Sequence, residues 1–508
     1  MVLPNYFNSR YGWFLRSFGR VSPRRKHSTN DFNTLARPRR IWILASLGII
    51  SSSLAYFFLP SREDVQCEQE NEAKDKKRRK CKHSNDSSKL SCAIKEAQVY
   101  ISQLQVETGT PGLVAAVSVD GTLVWSEGLG LADVENHVKC SPKSVMRIAS
   151  ISKSLTAAAV AKLYEEKKID LDAPIQKYIP SFPQKELDGE VVTITTRQLL
   201  SHLGGIRHYV KAEKKSEPDQ DTQTKNPGIQ DLSKAGTNET RENEKNATNE
   251  LENKEYYIKE PLTLLESLAL FENDPLVGKP GEKYNYTTHG YTLISGVVHA
   301  AAKQDFQKYM KQLFKELGMN NTAPEHHGPI TYHRARQYER KKRHGLVNVP
   351  YVDNSYKWAG GGFISTAEDL VKFGNALLYA RQANDQSPPG FLKQETVKEM
   401  WALVEATRGK VGTGEKGWYG WGWYVLPEST SHVCGRHQRE TIFHTGGAIG
   451  GVSVLLLQPD NRCRSSPSPP RGIVVALLMN QQEVARKISD AAENIATIFY
   501  DHLNPEKT

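Results

Sequence analysis

The chain reads Ser150-Ile151-Ser152-Lys153 and runs on into apolar residues at Leu155, Ala158, Val160, Ala161 and Leu163. That spacing predicts a helix, and a helix places Ser150 and Lys153, three apart, on one face of its first turn. A serine hydroxyl is a weak nucleophile until a base takes its proton. A lysine amine does so once burial or a neighbouring cation lowers its pKa, and a helix N-terminus favours the same loss. No other serine in the 508 residues is followed three places later by lysine. A nucleophile at the mouth of a packed helix demands a sheet or helices to bury the rest of it.

The flanking sequence supplies them. Residues 93–107 have helical apolar spacing, and residues 112–119 and 122–128 form two β-type runs around the hairpin dipeptide Asp120-Gly121. A second helix starts near Thr196 and carries Leu199-Leu200-Ser201-His202-Leu203-Gly204-Gly205, where His202 reads as structural and the paired glycines shape the helix end. Residues 211–255 are almost devoid of large apolar side chains and read as a disordered insertion within one domain. Beyond it, Tyr284-Asn285-Tyr286-Thr287-Thr288 enters an apolar helix over 293–301. Set against Ser150 and Lys153, the Tyr286 hydroxyl can relay a proton between nucleophile and leaving group. Trp358-Ala359-Gly360-Gly361-Gly362-Phe363 is a glycine turn leading to a helix, with Ser365 and Glu368 at capping-box spacing.

Near the C-terminus, β-type segments begin at 417–423, continue at 452–457 and 473–478, and give way to an amphipathic helix over 484–499. Joined to the N-terminal hairpin, they predict an α+β fold: one antiparallel sheet flanked by terminal helices, with an inserted helical region. Phe443-His444-Thr445-Gly446-Gly447 precedes the last strands. It reads as a strand lining the pocket, in which the Gly447 and Ser150 amides form an oxyanion hole while His444 and Thr445 hold a substrate carboxylate.

Net charge is +10, yet residues 1–40 hold nine basic side chains against one acidic, Asp31, so most of that charge lies in a leader. A nucleic-acid role is therefore not expected. The leader reads as a mitochondrial presequence, and residues 41–59 are uncharged and about long enough to cross a bilayer as a membrane anchor. Residues 60–92 form a polar tether whose run Lys74 to Lys80 suits anionic head groups. Six scattered cysteines form neither a disulfide framework nor a zinc site, and Glu325-His326-His327 lacks a spaced third ligand, so no metal is expected. The basic stretch from Arg334 to Arg343 reads as a solvated face.

Ser150-x-x-Lys153, Tyr286-x-Thr288 and His444-Thr445-Gly446, in that order, resemble the three signature elements of the serine β-lactamase and penicillin-binding-protein family, in its Tyr-x-Asn branch. The resemblance spans residues 93–503 apart from the insertion. It implies a β-lactamase/transpeptidase-like fold over 93–508 and a serine peptidase or esterase working through an acyl-enzyme, with a peptide or protein substrate and no cofactor. Thr288 takes the substrate-binding place of the branch's Asn, and His444 stands where many members have Lys. These departures argue against β-lactam turnover and leave acyl transfer to Ser150 in place. Together with the leader, the chain resembles the family's mitochondrial members. That implies the intermembrane space, association with the inner membrane, assembly into homo-oligomers or filaments, and a link to mitochondrial lipid metabolism. The rival expectation is a scaffold that kept the fold for self-assembly with weak activity.

Overall fold

In the computed structural model the described residues are 86–209, 261–341, 344–384, 387–410, 416–430, 437–460, 470–484 and 487–504. The presequence (1–40), the apolar segment (41–59), most of the tether (60–85) and the insertion (211–255) lie outside them. All described residues fall in one unit of the chain, 63–508. No described helix is long and apolar enough to cross a membrane.

Chain order begins with helix α1, Asp86–Thr108, which starts within the stretch read as tether. Strands β1, Gly112–Val119, and β2, Thr122–Asp133, follow as the expected hairpin. Asp120 and Gly121 both take positive φ, as a tight hairpin turn requires. A short strand β3, Val138–Lys139, comes next, then helix α2, Ile151–Glu165. Helix α3 spans Thr288–Ala302 and α4 spans Ala367–Gln382. The C-terminal set is β4, Trp418–Tyr419; β5, Tyr424–Leu426; β6, Thr441–Ala448; β7, Gly451–Pro459; β8, Gly472–Met479; and α5, Ile488–Leu503.

These strands form one eight-stranded sheet in the order β4-β5-β6-β7-β8-β1-β2-β3, antiparallel throughout. The crossover that puts β1 beside β8 is written in the side chains, because both strands are apolar on both faces. Leu113, Ala115 and Val117 of β1 join Val475 and Leu477 of β8 against the terminal helices, where α1 gives Ala97 and Ile101 and α5 gives Ile495 and Phe499. Val114 and Ala116 join Val474, Ala476 and Leu478 on the opposite face, where α4 packs on both strands. Every residue on these strands therefore has a layer to pack against, which is why their sequences run apolar rather than alternating.

One sequence reading shifts in register. The cap of α4 is Thr366, whose hydroxyl accepts the Asp369 N–H (3.2 Å), rather than Ser365. Ser365 lies in a small three-stranded sheet with Met146–Arg147 and Ala323–Pro324, where its hydroxyl pairs with that of Thr322 (2.7 Å). Glu325 is half of a buried ion pair: Arg147 Nε lies 2.7 Å from its carboxylate and Asn354 donates to the same oxygen (2.7 Å). Arg147 also donates to the Ile449 carbonyl (2.7 Å), tying the approach to Ser150 to the turn between β6 and β7.

Candidate active site

Helix α2 is buried along almost its whole length, so its alanines let neighbours come close and its first turn is held firmly. Ala149 enters it with φ +47, a left-handed conformation that costs a non-glycine residue about 1–3 kcal/mol. That bend places Ser150 at the N-cap, partly exposed, while Lys153 is fully buried. Lys153 Nζ lies 3.1 Å from Ser150 Oγ, as the three-residue spacing predicts, and donates to the Gly360 carbonyl (2.7 Å). It also reaches Thr288 Oγ1 at 3.3 Å. Thr288 is thus brought to the site through Lys153.

The Gly360 carbonyl is a site group that sequence reasoning missed. The turn holding it is bolted to α2 by three bonds: Thr156 Oγ1 to the Ala359 carbonyl (2.9 Å), Lys153 to Gly360, and the Phe363 N–H to Ser152 Oγ (3.3 Å). Gly360 is glycine because a Cβ would run into the Thr288 methyl and sit 3.2 Å from the Thr288 carbonyl oxygen.

Tyr286 arrives just before α3, whose cap is Thr287. Its ring lies over the Lys153 ammonium, 4.7 Å from Nζ to centroid, a cation–π contact that places the phenol beside the base. His202 packs against the same ring, with centroids 4.2 Å apart. It is fully buried, as a structural residue should be.

On the far side runs β6. Strand β5 pairs only with Thr441, Ile442 and Phe443, so no strand among the described residues covers that edge of β6 from His444 to Ala448. Gly446 packs against the segment entering α2, where a Cβ would collide with Ser453 Oγ and the Ile148 carbonyl oxygen. Ser453 Oγ donates to that same carbonyl (2.8 Å). This contact holds β6 against the segment that leads into Ser150, and Gly447, next along the strand, is exposed, with nothing within 4 Å of where a Cβ would stand.

His444 sits differently from the carboxylate-binding place read from sequence. It is 1% exposed, and its Nδ1 is 2.6 Å from the Thr445 carbonyl oxygen, which can only accept, so Nδ1 carries the proton. Nε2 then accepts from the Tyr419 hydroxyl (2.9 Å). Neither nitrogen is left to donate to a substrate. Burial, followed by the charge on Lys153, holds the His444 pKa down to about 3. Burial, followed by Arg207, holds His289 near 3 as well. His202 is lowered by burial and then by Lys153. Tyr419 is pushed up by its own burial, so it remains a donor.

Neutral buried histidines make stability depend on pH in a fixed direction. Each folded pKa lies below the unfolded value near 6.5, so below that value the unfolded chain binds more protons. The stabilisation is complete above pH 6.5 and declines as pH falls towards 3, by up to about 1.4 kcal/mol per pH unit for each group. We expect the urea midpoint to fall between pH 7 and 5, and His444→Gln to flatten that slope. A midpoint constant across this range in the unaltered chain would contradict the assignment.

A comparison with known families matches residues 97–498 to the beta-lactamase family. The chain belongs to the beta-lactamase family. The mitochondrial serine beta-lactamase-like protein LACTB of mouse is 44% identical over 448 residues, covering 81% of each chain, and the human protein of that name is 43% identical over 439 residues, covering 80% of each. Among solved structures, the octameric penicillin-binding protein homologue from Pyrococcus abyssi aligns with a TM-score of 0.58 at 21% identity, over 81% of this chain and 79% of that one. EstCE1, a hydrolase with promiscuous acyltransferase activity, aligns with a TM-score of 0.60 at 18% identity, over 81% of this chain and 99% of that one. At such identities the structures speak to the beta-lactamase-like fold, and the fold is the one expected from the sequence.

Proposed function

We propose that the chain is a serine hydrolase that works through an acyl-enzyme on Ser150. The observation that carries this reading is the approach of the wholly buried Lys153 Nζ to Ser150 Oγ, 3.1 Å, at the open end of a buried helix. In the first half-reaction Ser150 Oγ attacks an acyl carbonyl while its one proton passes to the unprotonated Lys153 amine, which hands it on through the Tyr286 phenol. The Ser150 and Gly447 amides take the developing oxyanion. Tyr286 returns the proton to the leaving oxygen or nitrogen as its bond to the acyl carbon breaks. In the second, water adds to the ester carbon under the same base, and the acid leaves as Ser150 regains its proton. No cofactor takes part in these steps.

With both His444 nitrogens committed, any anchoring of a substrate carboxylate falls to Thr445 alone, and His444 instead fixes Tyr419 and the strand. The favoured substrate is accordingly an ester or an internal peptide bond, with no carboxylate at that end of the cleft. Thr288 contributes by holding Lys153 through its hydroxyl, next to the Gly360 carbonyl. The named relatives support a mitochondrial location, and the leader, residues 41–59 and the basic run support the intermembrane space with contact to anionic inner-membrane lipids. Assembly into a homo-oligomer or filament, and service to mitochondrial lipid metabolism, complete the reading by resemblance.

The test is intact-mass spectrometry of the full chain treated with a fluorophosphonate. We expect one adduct, mapped to Ser150 and absent from folded Ser150→Ala. A folded chain that takes no adduct would leave a scaffold as the better account.

A further inference from the structure

We propose that His202 is a positioning residue for Tyr286, gripping the chain on both sides of it so that the phenol faces the departing group. The proposal rests on the acyl-enzyme reading above. Two hydrogen bonds carry it. The His202 carbonyl accepts the Asn285 N–H (2.9 Å), and His202 Nδ1 accepts the Thr287 N–H (3.2 Å). Asn285 and Thr287 are the immediate neighbours of Tyr286, so one residue fixes the backbone before and after the phenol. The His202 ring then closes on the Tyr286 ring, tilted by 45°.

Packing alone does not explain an imidazole here. A nitrogen that accepts from an amide carries no proton, so the proton sits on Nε2. That nitrogen is buried and has no hydrogen-bond partner. An unpaired buried donor is costly, and an apolar ring of similar size would fill the space without it. The acceptor at Nδ1 is what the apolar ring lacks. Backbone conformation points the same way, since His202 has φ +60, a region where histidine and asparagine are over-represented among non-glycine residues. The site is also rigid around this ring, because Tyr291 and Tyr419 pack on it at 5.3 and 4.8 Å. Tyr419 is the donor to His444, so the grip on Tyr286 and the position of β6 share one aromatic cluster.

A phenol that delivers a proton to the leaving group matters in proportion to how much that group needs one. An alkoxide needs it, whereas a nitrophenolate leaves as a stable anion. The experiment therefore compares two esters of one carboxylic acid, an alkyl ester and a nitrophenyl ester, with the full chain, His202→Phe, His202→Asn, Tyr286→Phe and the His202→Phe/Tyr286→Phe double variant. Asparagine tolerates the left-handed backbone and offers an oxygen at the place of Nδ1. We expect His202→Phe to lose up to about 10²-fold more kcat/KM on the alkyl ester than on the nitrophenyl ester. His202→Asn restores most of that difference. In the Tyr286→Phe background the selective loss disappears, since the two changes act through one group. Equal loss on both esters, or a selective loss that persists without the phenol, would overturn the proposal. Should His202→Phe lack a cooperative melt, His202→Gln, which removes the acceptor at Nδ1 while keeping a polar end, takes its place with the same expectations. An unaltered chain that takes no fluorophosphonate and turns over neither ester would instead remove the hydrolase reading, and the proposal with it.

Discussion

Lys153→Met is expected to slow fluorophosphonate labelling of Ser150 by about 10²- to 10⁴-fold, the range that a positioned general base contributes. The substitution is chosen to separate chemistry from folding. Lys153 is wholly buried among the Gly360 carbonyl, Thr288 and the rings of Tyr286 and Tyr291. Methionine has nearly the same length and fills the space, while the Gly360 carbonyl left without its donor costs about 1–3 kcal/mol. The variant should therefore still melt cooperatively, and the labelling rates are compared on folded protein. Lys153→Arg sharpens the test, because a guanidinium keeps the positive charge yet does not give up its proton near neutral pH. If the ammonium served only as a fixed charge, arginine would retain most of the rate. The base role requires that arginine be nearly as slow as methionine, and labelling of Lys153→Arg at the unaltered rate would refute it.

How far the sequence leads depends on whether a group is carried by a local pattern or by a meeting of distant segments. Ser150 and Lys153 were legible because a helix fixes their separation, and the structure returns the expected proximity. The sheet was legible because β1, β7 and β8 are apolar on both faces, which only a two-sided burial explains. Helix ends were less so: the cap of α4 lies one residue beyond the expected serine, since Ser365 and Thr366 both satisfy the capping pattern and only the small sheet around Ser365 decides between them. The committed hydrogen bonds of His444 could not be read at all, because its partner Tyr419 lies on another strand and the motif gives no sign of it. Gly360 was visible as a glycine in a turn, but its use as an acceptor for Lys153 depends on a backbone path that glycine permits rather than dictates.

Gly446→Ala is expected to damage both the fold and the chemistry, and it tests the strand side of the site as Lys153 tests the helix side. The added methyl has nowhere to go. One obstacle, the Ile148 carbonyl oxygen, is backbone in the segment entering α2, and Ala149 Cβ lies 3.0 Å away on the same side. The Ile148 oxygen is further pinned by the Ser453 hydroxyl. Relief must come from moving β6 away from the Ser150 turn, at an overpacking cost of about 1–3 kcal/mol. In the proposed mechanism the same movement withdraws the Gly447 amide from the developing oxyanion, and loss of one such donor lowers rate by about 10²- to 10³-fold. Gly447→Ala provides the contrast in stability, because a Cβ there meets nothing within 4 Å. Thermal melts should separate the two neighbours clearly, with Gly446→Ala lowered and Gly447→Ala close to the unaltered chain. Labelling kinetics then decide the functional half. If Gly446→Ala is destabilised but labels Ser150 at the unaltered rate, the approach of β6 to α2 is a packing contact alone, and the oxyanion must be held from elsewhere.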